Sequence, residues 1–181
     1  MTDSQSNLID RYQQYRTRRF LANESQTSSW LPGWRTQKRR RILVGALLAI
    51  FVAMLAVGVT CHFGVEWAPL LWLPVCLVFM PVWVALRVAS GRQDDAPEAV
   101  LDEFEIDQRN GARSIGFAVM QSLGLIAAFY LIFGAVITNG DNGDMVYAGG
   151  IFTLMAVLIG GCTPAMILAW TRPDPDVDDL S

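Results

Sequence analysis

Residues 38–60 read KRRRILVGALLAIFVAMLAVGVT, four basic residues followed by an unbroken run from Ile42 to Thr60 with no Asp, Glu, Lys, Arg or His. A helix rising about 1.5 Å per residue needs about 20 such residues to cross about 30 Å of hydrocarbon. Three further stretches share this property: Trp67–Leu86, Ser114–Thr138 and Met145–Thr171. Helices of a soluble bundle keep a polar face, which these lack. Strands of an outer-membrane barrel run about 10 residues and alternate polar with apolar, which these do not. The fold class expected is therefore all-α and integral to a membrane, with four transmembrane helices in two hairpins.

Composition agrees. The 181 residues are 52% hydrophobic and 17% charged, against about 25% charge in an ordinary soluble domain. The first apolar stretch begins only at Ile42, so it reads as a retained span rather than a cleaved leader. Gly58-Val59-Thr60 before Cys61 is a poor lipoprotein signal.

Charge placement orients the spans. Of the 14 Lys and Arg residues, nine lie in residues 1–41; Arg87, Arg92, Arg109 and Arg113 lie between spans two and three, and Arg172 follows span four. The connections Cys61–Glu66 and Asn139–Asp144 contain none. Under the positive-inside rule this places the N-terminus, the 87–113 loop and the C-terminus in the cytoplasm. Three regions follow: a basic segment 1–41, a membrane domain 42–171, and an acidic tail 172–181.

Within the basic segment, Leu8, Ile9, Tyr12, Tyr15, Phe20 and Leu21 fall at roughly helical spacing among arginines. That pattern fits an interfacial helix on an anionic leaflet, with Tyr12 and Tyr15 as lipid contacts, and equally a disordered basic tail that sets topology. Trp30 and Trp34 suit the headgroup region. Lipid headgroups account for these arginines, so no nucleic-acid partner is expected. In span two, Pro69 suits a first helical turn, whereas Pro74 and Pro81 are expected to kink the helix. Pro97 and Glu98 mark the start of a short amphipathic helix over 97–110 that runs toward span three. Its acids Asp102, Glu103 and Glu105 either face solvent or meet a basic partner.

Small residues four apart, Gly124/Ala128, Ala156/Gly160 and Gly161/Ala165, permit close helix contacts inside the fold or with a partner. Gly160-Gly161-Cys162-Thr163-Pro164 is the strongest expected irregularity of span four.

The spans contain no ionisable path of the kind that pumps, coupled transporters and channels use. His62 is the single histidine, so one protomer cannot supply bis-histidine haem ligation. Cys61, His62 and Glu66 lack a recognised metal-ligand spacing. No P-loop, nucleophile elbow or zincin motif occurs. No catalytic residue, metal site or cofactor is assigned, and a quinone contact is retained only as a minor alternative.

The stretch Pro97-Glu98-Ala99-Val100-Leu101-Asp102-Glu103-Phe104-Glu105, with Arg109 and Arg113 before the third span, resembles a loosely defined group of small, uncharacterised actinobacterial membrane proteins. These commonly have four spans and an L-D-E-x-E-like segment before one of them. The resemblance implies an actinobacterial plasma membrane and an accessory place in an envelope or respiratory assembly, and it transfers no catalytic residue. The expectation is a non-catalytic structural or accessory subunit that packs against other integral membrane proteins. The alternatives are a transporter or small-molecule-binding component completed by a partner, and an assembly factor or regulator.

Overall fold

The structure, a computed structural model, describes residues 11, 12, 14, 15, 17–23, 36–91 and 93–173. The described positions between 11 and 23 are helical, with Tyr12 and Tyr15 strongly exposed. Trp30, Trp34, Arg92 and the tail beyond 173 lie outside the described residues. Four long helices follow: α1 Gln37–His62, α2 Trp72–Ala89, α3 Glu103–Ile137 and α4 Gly143–Thr171. Each of them, α2 counted with the turn before it, is long and apolar enough to cross a bilayer, and the chain is a multi-pass membrane protein.

The helix ends follow local chemistry. Helix α1 starts at Gln37 and so takes the whole basic run into its first turns. A short 3₁₀ turn, Ala68–Leu71, holds Pro69, and α2 begins at Trp72. Pro74 thus falls in the first turn of α2, where its missing N–H has no intrahelical partner to lose. Pro81 is the proline inside α2, so the two kinks expected from sequence reduce to this one position.

The short helix expected over 97–110 takes a different form. Pro97 opens a three-residue 3₁₀ turn, Glu98–Val100, and the chain is then extended at Leu101 and Asp102. Asp102 caps α3, its Oδ1 accepting from the Glu105 N–H at 2.7 Å. Two start signals compete here, and the Asp cap with acids in the first turn defines the long helix. From Glu103, α3 runs 35 residues without a break at Gly111 or Gly116, about 52 Å at 1.5 Å per residue. Its first turns therefore extend beyond the hydrocarbon.

At the opposite end of the bundle the turns are tight. Asn139 and Gly140 have positive φ (53° and 75°) and close α3, with the Gly140 N–H donating to the Ala135 carbonyl at 2.9 Å. Asn and Gly are the residues that tolerate this conformation. Asn142 then caps α4 through the Met145 N–H at 3.0 Å.

Helix α4 organises the packing. It contacts all three other helices, whereas α2 and α3 share no substantial contact. Leu43, Leu47, Phe51 and Met54 of α1, Phe79 and Leu86 of α2, and Cys162 and Ala169 of α4 form one core. Helix α3 lies against the other side of α4. There, a Cβ added to Gly116 would sit 2.8 Å from the Gly160 carbonyl oxygen and 2.9 Å from Pro164 Cδ. A Cβ on Gly160 would lie 3.0 Å from the Gly116 carbonyl oxygen and run into Met120. The two backbones approach this closely because neither residue has a side chain.

The expected irregularity at Gly160–Pro164 leaves α4 continuous. Pro164 cannot donate to the Gly160 carbonyl one turn earlier, and the Gly116 backbone packs against that oxygen instead. Ala156, Gly160 and Ala165 are buried, while Ala128 and Gly161 are exposed and Gly124 is half-buried. The candidate small residues therefore divide between internal packing and the outer surface.

This division gives opposite signs for similar substitutions. Gly160→Ala is expected to lower stability by about 1–3 kcal/mol through overpacking. Gly161→Ala, which has nothing within 4 Å of its new Cβ, is expected to raise it by about 0.4–1 kcal/mol through chain entropy. Reversible unfolding in mixed micelles measures both, and equal effects would refute the assignment.

Candidate functional site: an arginine-held cap

The charged residues concentrate at the end of the bundle where α1 starts and α4 stops. Lys38, Arg39, Arg40 and Arg41 occupy the first turns of α1, where the helix dipole disfavours positive charge. That cost is offset across the bundle. Arg40, only 2% exposed, donates from Nη2 to the carbonyls of Arg172 and Pro173 at 2.7 and 2.9 Å. These carbonyls lie at and just beyond the C-cap of α4, so the guanidinium sits at the negative end of that helix, where positive charge is favoured.

The loop between α2 and α3 folds over this end. Arg172 donates from Nη1 to the Ser90 carbonyl at 3.0 Å. From the first exposed turns of α3, Arg109 and Arg113 sit four residues apart and share a face. Arg113 donates from Nε and Nη2 to the Asp94 carbonyl, the former at 3.1 Å. Arg109, 2% exposed, donates to the Ala96 carbonyl and reaches Glu98 Oε1 at 3.1 Å. Arg87 lies over the Trp83 ring, 5.5 Å from its centroid, and pairs with Asp94 at 3.5 Å and with Asp95. Five arginines from α1, α2, α3 and the end of α4 thus hold Ser90, Asp94, Asp95, Ala96, Glu98 and the end of α4 in place.

Two acceptors in this cap are buried without a hydrogen-bond partner among the described residues: Gln93 Oε1 and Asp94 Oδ1. Burial is the main cause that pushes the Asp94 carboxyl above the ordinary carboxylate range, with Asp95 adding to it. Arg87 and Arg113 oppose the shift. Guanidinium groups stay charged and donate without exchanging protons. The chemistry of the cap therefore suits holding chain segments together.

The acids singled out from sequence take other roles. Asp102 is a helix cap, Asp102 and Glu103 are exposed, and Glu105 is half-buried. The acids that meet arginine are Asp94, Asp95 and Glu98. At the opposite end, Cys61 is buried and Glu66 exposed, while His62 Nδ1 lies 2.7 Å from the Tyr130 hydroxyl. Among the described residues no group of three His, Cys, Asp or Glu side chains is placed to hold a metal ion.

A second candidate surface lies on α3. Ala118, Gln121, Ser122, Gly124 and Leu125 line a shallow recess on its outer side. The Ser122 hydroxyl donates to the Ala118 carbonyl at 2.9 Å. Gln121 is exposed, and its amide has no hydrogen bond among the described residues.

Comparison with known proteins found no matching family model, no matching curated protein and no matching solved structure.

The cap yields two expected outcomes. Arg109→Leu leaves the buried Ala96 carbonyl without its donor, at a cost of about 1–3 kcal/mol, and quickens protease cleavage within residues 93–101. Unchanged cleavage would remove Arg109 from its holding role. The raised Asp94 value means that the folded chain keeps this proton to higher pH than the unfolded chain. The contribution of Asp94 to stability is thus full below the ordinary carboxylate value and is lost as pH rises through the raised one. Asp94→Asn is expected to flatten the fall in melting temperature as pH rises above the ordinary carboxylate range; an unaltered slope would count against it.

Proposed function

We propose that this chain is a non-catalytic accessory subunit that packs against other integral membrane proteins through the outer face of α3. The observation that carries the reading is the unpaired Gln121 amide beside Gly124 and Ala128. Lipid tails cannot hydrogen-bond an amide, so leaving it unpaired in hydrocarbon is costly. A helix from another protein brings both a close-packing partner for the small residues and a hydrogen bond for Gln121. Only 11% of the apolar window of α3 is buried within the chain, against 39% for α1, so most of α3 remains for such a partner. In this reading both chain ends and the arginine-held cap face the cytoplasm of an actinobacterial cell. An envelope or respiratory assembly is the setting implied by the 97–113 resemblance.

Gentle detergent extraction of the tagged full chain is expected to recover a stoichiometric integral membrane partner. A photo-crosslinker at position 125 should capture the same partner, and Gln121→Leu should weaken the capture. A chain that runs alone as a monomer, and whose deletion leaves every membrane complex intact, would overturn the proposal. For orientation, a green fluorescent protein fused after Pro173 is expected to fluoresce, and an alkaline phosphatase fused there to stay inactive. The reverse pair of results would invert the topology.

A further inference from the structure

Arg40 turns into the bundle and donates from Nη2 to the end of α4. Arg41, the next residue, is exposed and lies over the Trp170 ring, 5.0 Å from its centroid. Trp170 is itself 48% exposed, in the last turn of α4. Among the described residues Arg41 forms no ion pair with a carboxylate. An aromatic ring against one face of a guanidinium holds the group in place and leaves the N–H donors along its edge for a planar or tetrahedral oxyanion. Lys38 is exposed and three residues back on the same helical face. The side chains at this corner therefore supply two cations and an interfacial tryptophan, with no carboxylate paired to either cation among the described residues.

An exposed surface continues along α1 in the direction of the bilayer. Gly45, one turn beyond Arg41 and about 6 Å farther along the helix, has nothing within 4 Å of where a Cβ would stand. Leu48 and Val52 extend the exposed apolar face beyond it. A charged corner at the membrane surface, with an open apolar track running from it into the hydrocarbon, matches the two chemical halves of a phospholipid.

We propose that Arg41, Lys38 and Trp170 form a site for the headgroup of an anionic phospholipid, whose acyl chain lies over Gly45. The phosphate diester accepts from the Arg41 guanidinium edge and the Lys38 ammonium. The site is independent of the partner surface on α3, on the other side of α4. It differs from the diffuse attraction of a basic segment because it depends on one stacked arginine and one missing side chain.

The test is native mass spectrometry of the full chain in neutral detergent, titrated with phosphatidylglycerol, phosphatidylcholine or inorganic phosphate. The wild type is expected to retain one phosphatidylglycerol per chain in preference to phosphatidylcholine. Arg41→Gln should weaken that retention by about fivefold or more, the order of one lysine or arginine at an anionic surface. Arg41→Lys keeps the charge and should recover part of the loss. Gly45→Leu, which faces open space, should weaken phosphatidylglycerol while leaving inorganic phosphate unaffected. Arg18→Gln, an equal change of charge within the helical residues 17–23, should leave retention within about twofold. Equal losses in Arg18→Gln and Arg41→Gln would overturn the site in favour of diffuse attraction. Equal retention of phosphatidylcholine, or full competition by inorganic phosphate with no effect of Gly45→Leu, would overturn the lipid assignment. A matched elution profile and melting temperature for each variant separates loss of binding from loss of fold.

Discussion

The last carbonyls of a helix have no intrahelical donor, and here a guanidinium from a neighbouring helix supplies one. Arg40 reaches the carbonyls of Arg172 and Pro173, which fixes α1 against α4 at the end where both enter and leave the membrane domain. Arg172 then holds the Ser90 carbonyl beyond α2, and Arg113 holds Asp94 ahead of α3. One kind of bond, arginine to main-chain carbonyl, links all four helices at a single end. Lysine offers a point charge rather than a planar fork, and it would not hold two acceptors in so fixed a geometry.

The same problem arises within the hydrocarbon and is met differently. Pro164 leaves the Gly160 carbonyl without its helical donor, and no guanidinium is at hand in an apolar span. The backbone of Gly116 packs against that oxygen instead, a contact in which a weak Cα–H···O interaction gives some compensation. Proline in α4 and glycine in α3 are thus one feature, and together they fix where α3 crosses its neighbour. Because α4 carries this contact on one side and the α1–α2 core on the other, α3 is attached through α4 and leaves its remaining surface outward.

The four spans and the segregation of charge were legible because hydropathy and basic residues report directly on the bilayer. The cap was not. Its arginines had a sufficient reason to exist in the positive-inside rule, which concealed a second use. Nor could spacing reveal that Arg109 and Arg113 point back to residues 94–98, since that required α3 to begin at Asp102 rather than near Pro97. The small-residue pairs were visible but ambiguous: a four-residue spacing places two glycines on a face without saying which face. Gly160 turns toward α3 and Gly161 away from it, although they are adjacent in sequence.

The distribution of polar groups ties fold to role. Five of the arginines close to the membrane domain are held by carbonyls, carboxylates or both at one end. They organise the chain and do not line a path through it. Hydroxyls of Ser122, Thr153 and Thr163 are each satisfied by carbonyls four residues earlier in their own helices. Where the polar groups of a membrane domain are consumed this way, a group that is not consumed acquires weight. Gln121 is such a group, on a helix of whose apolar window only 11% is buried within the chain, which is why its surroundings are an informative place to look for a partner.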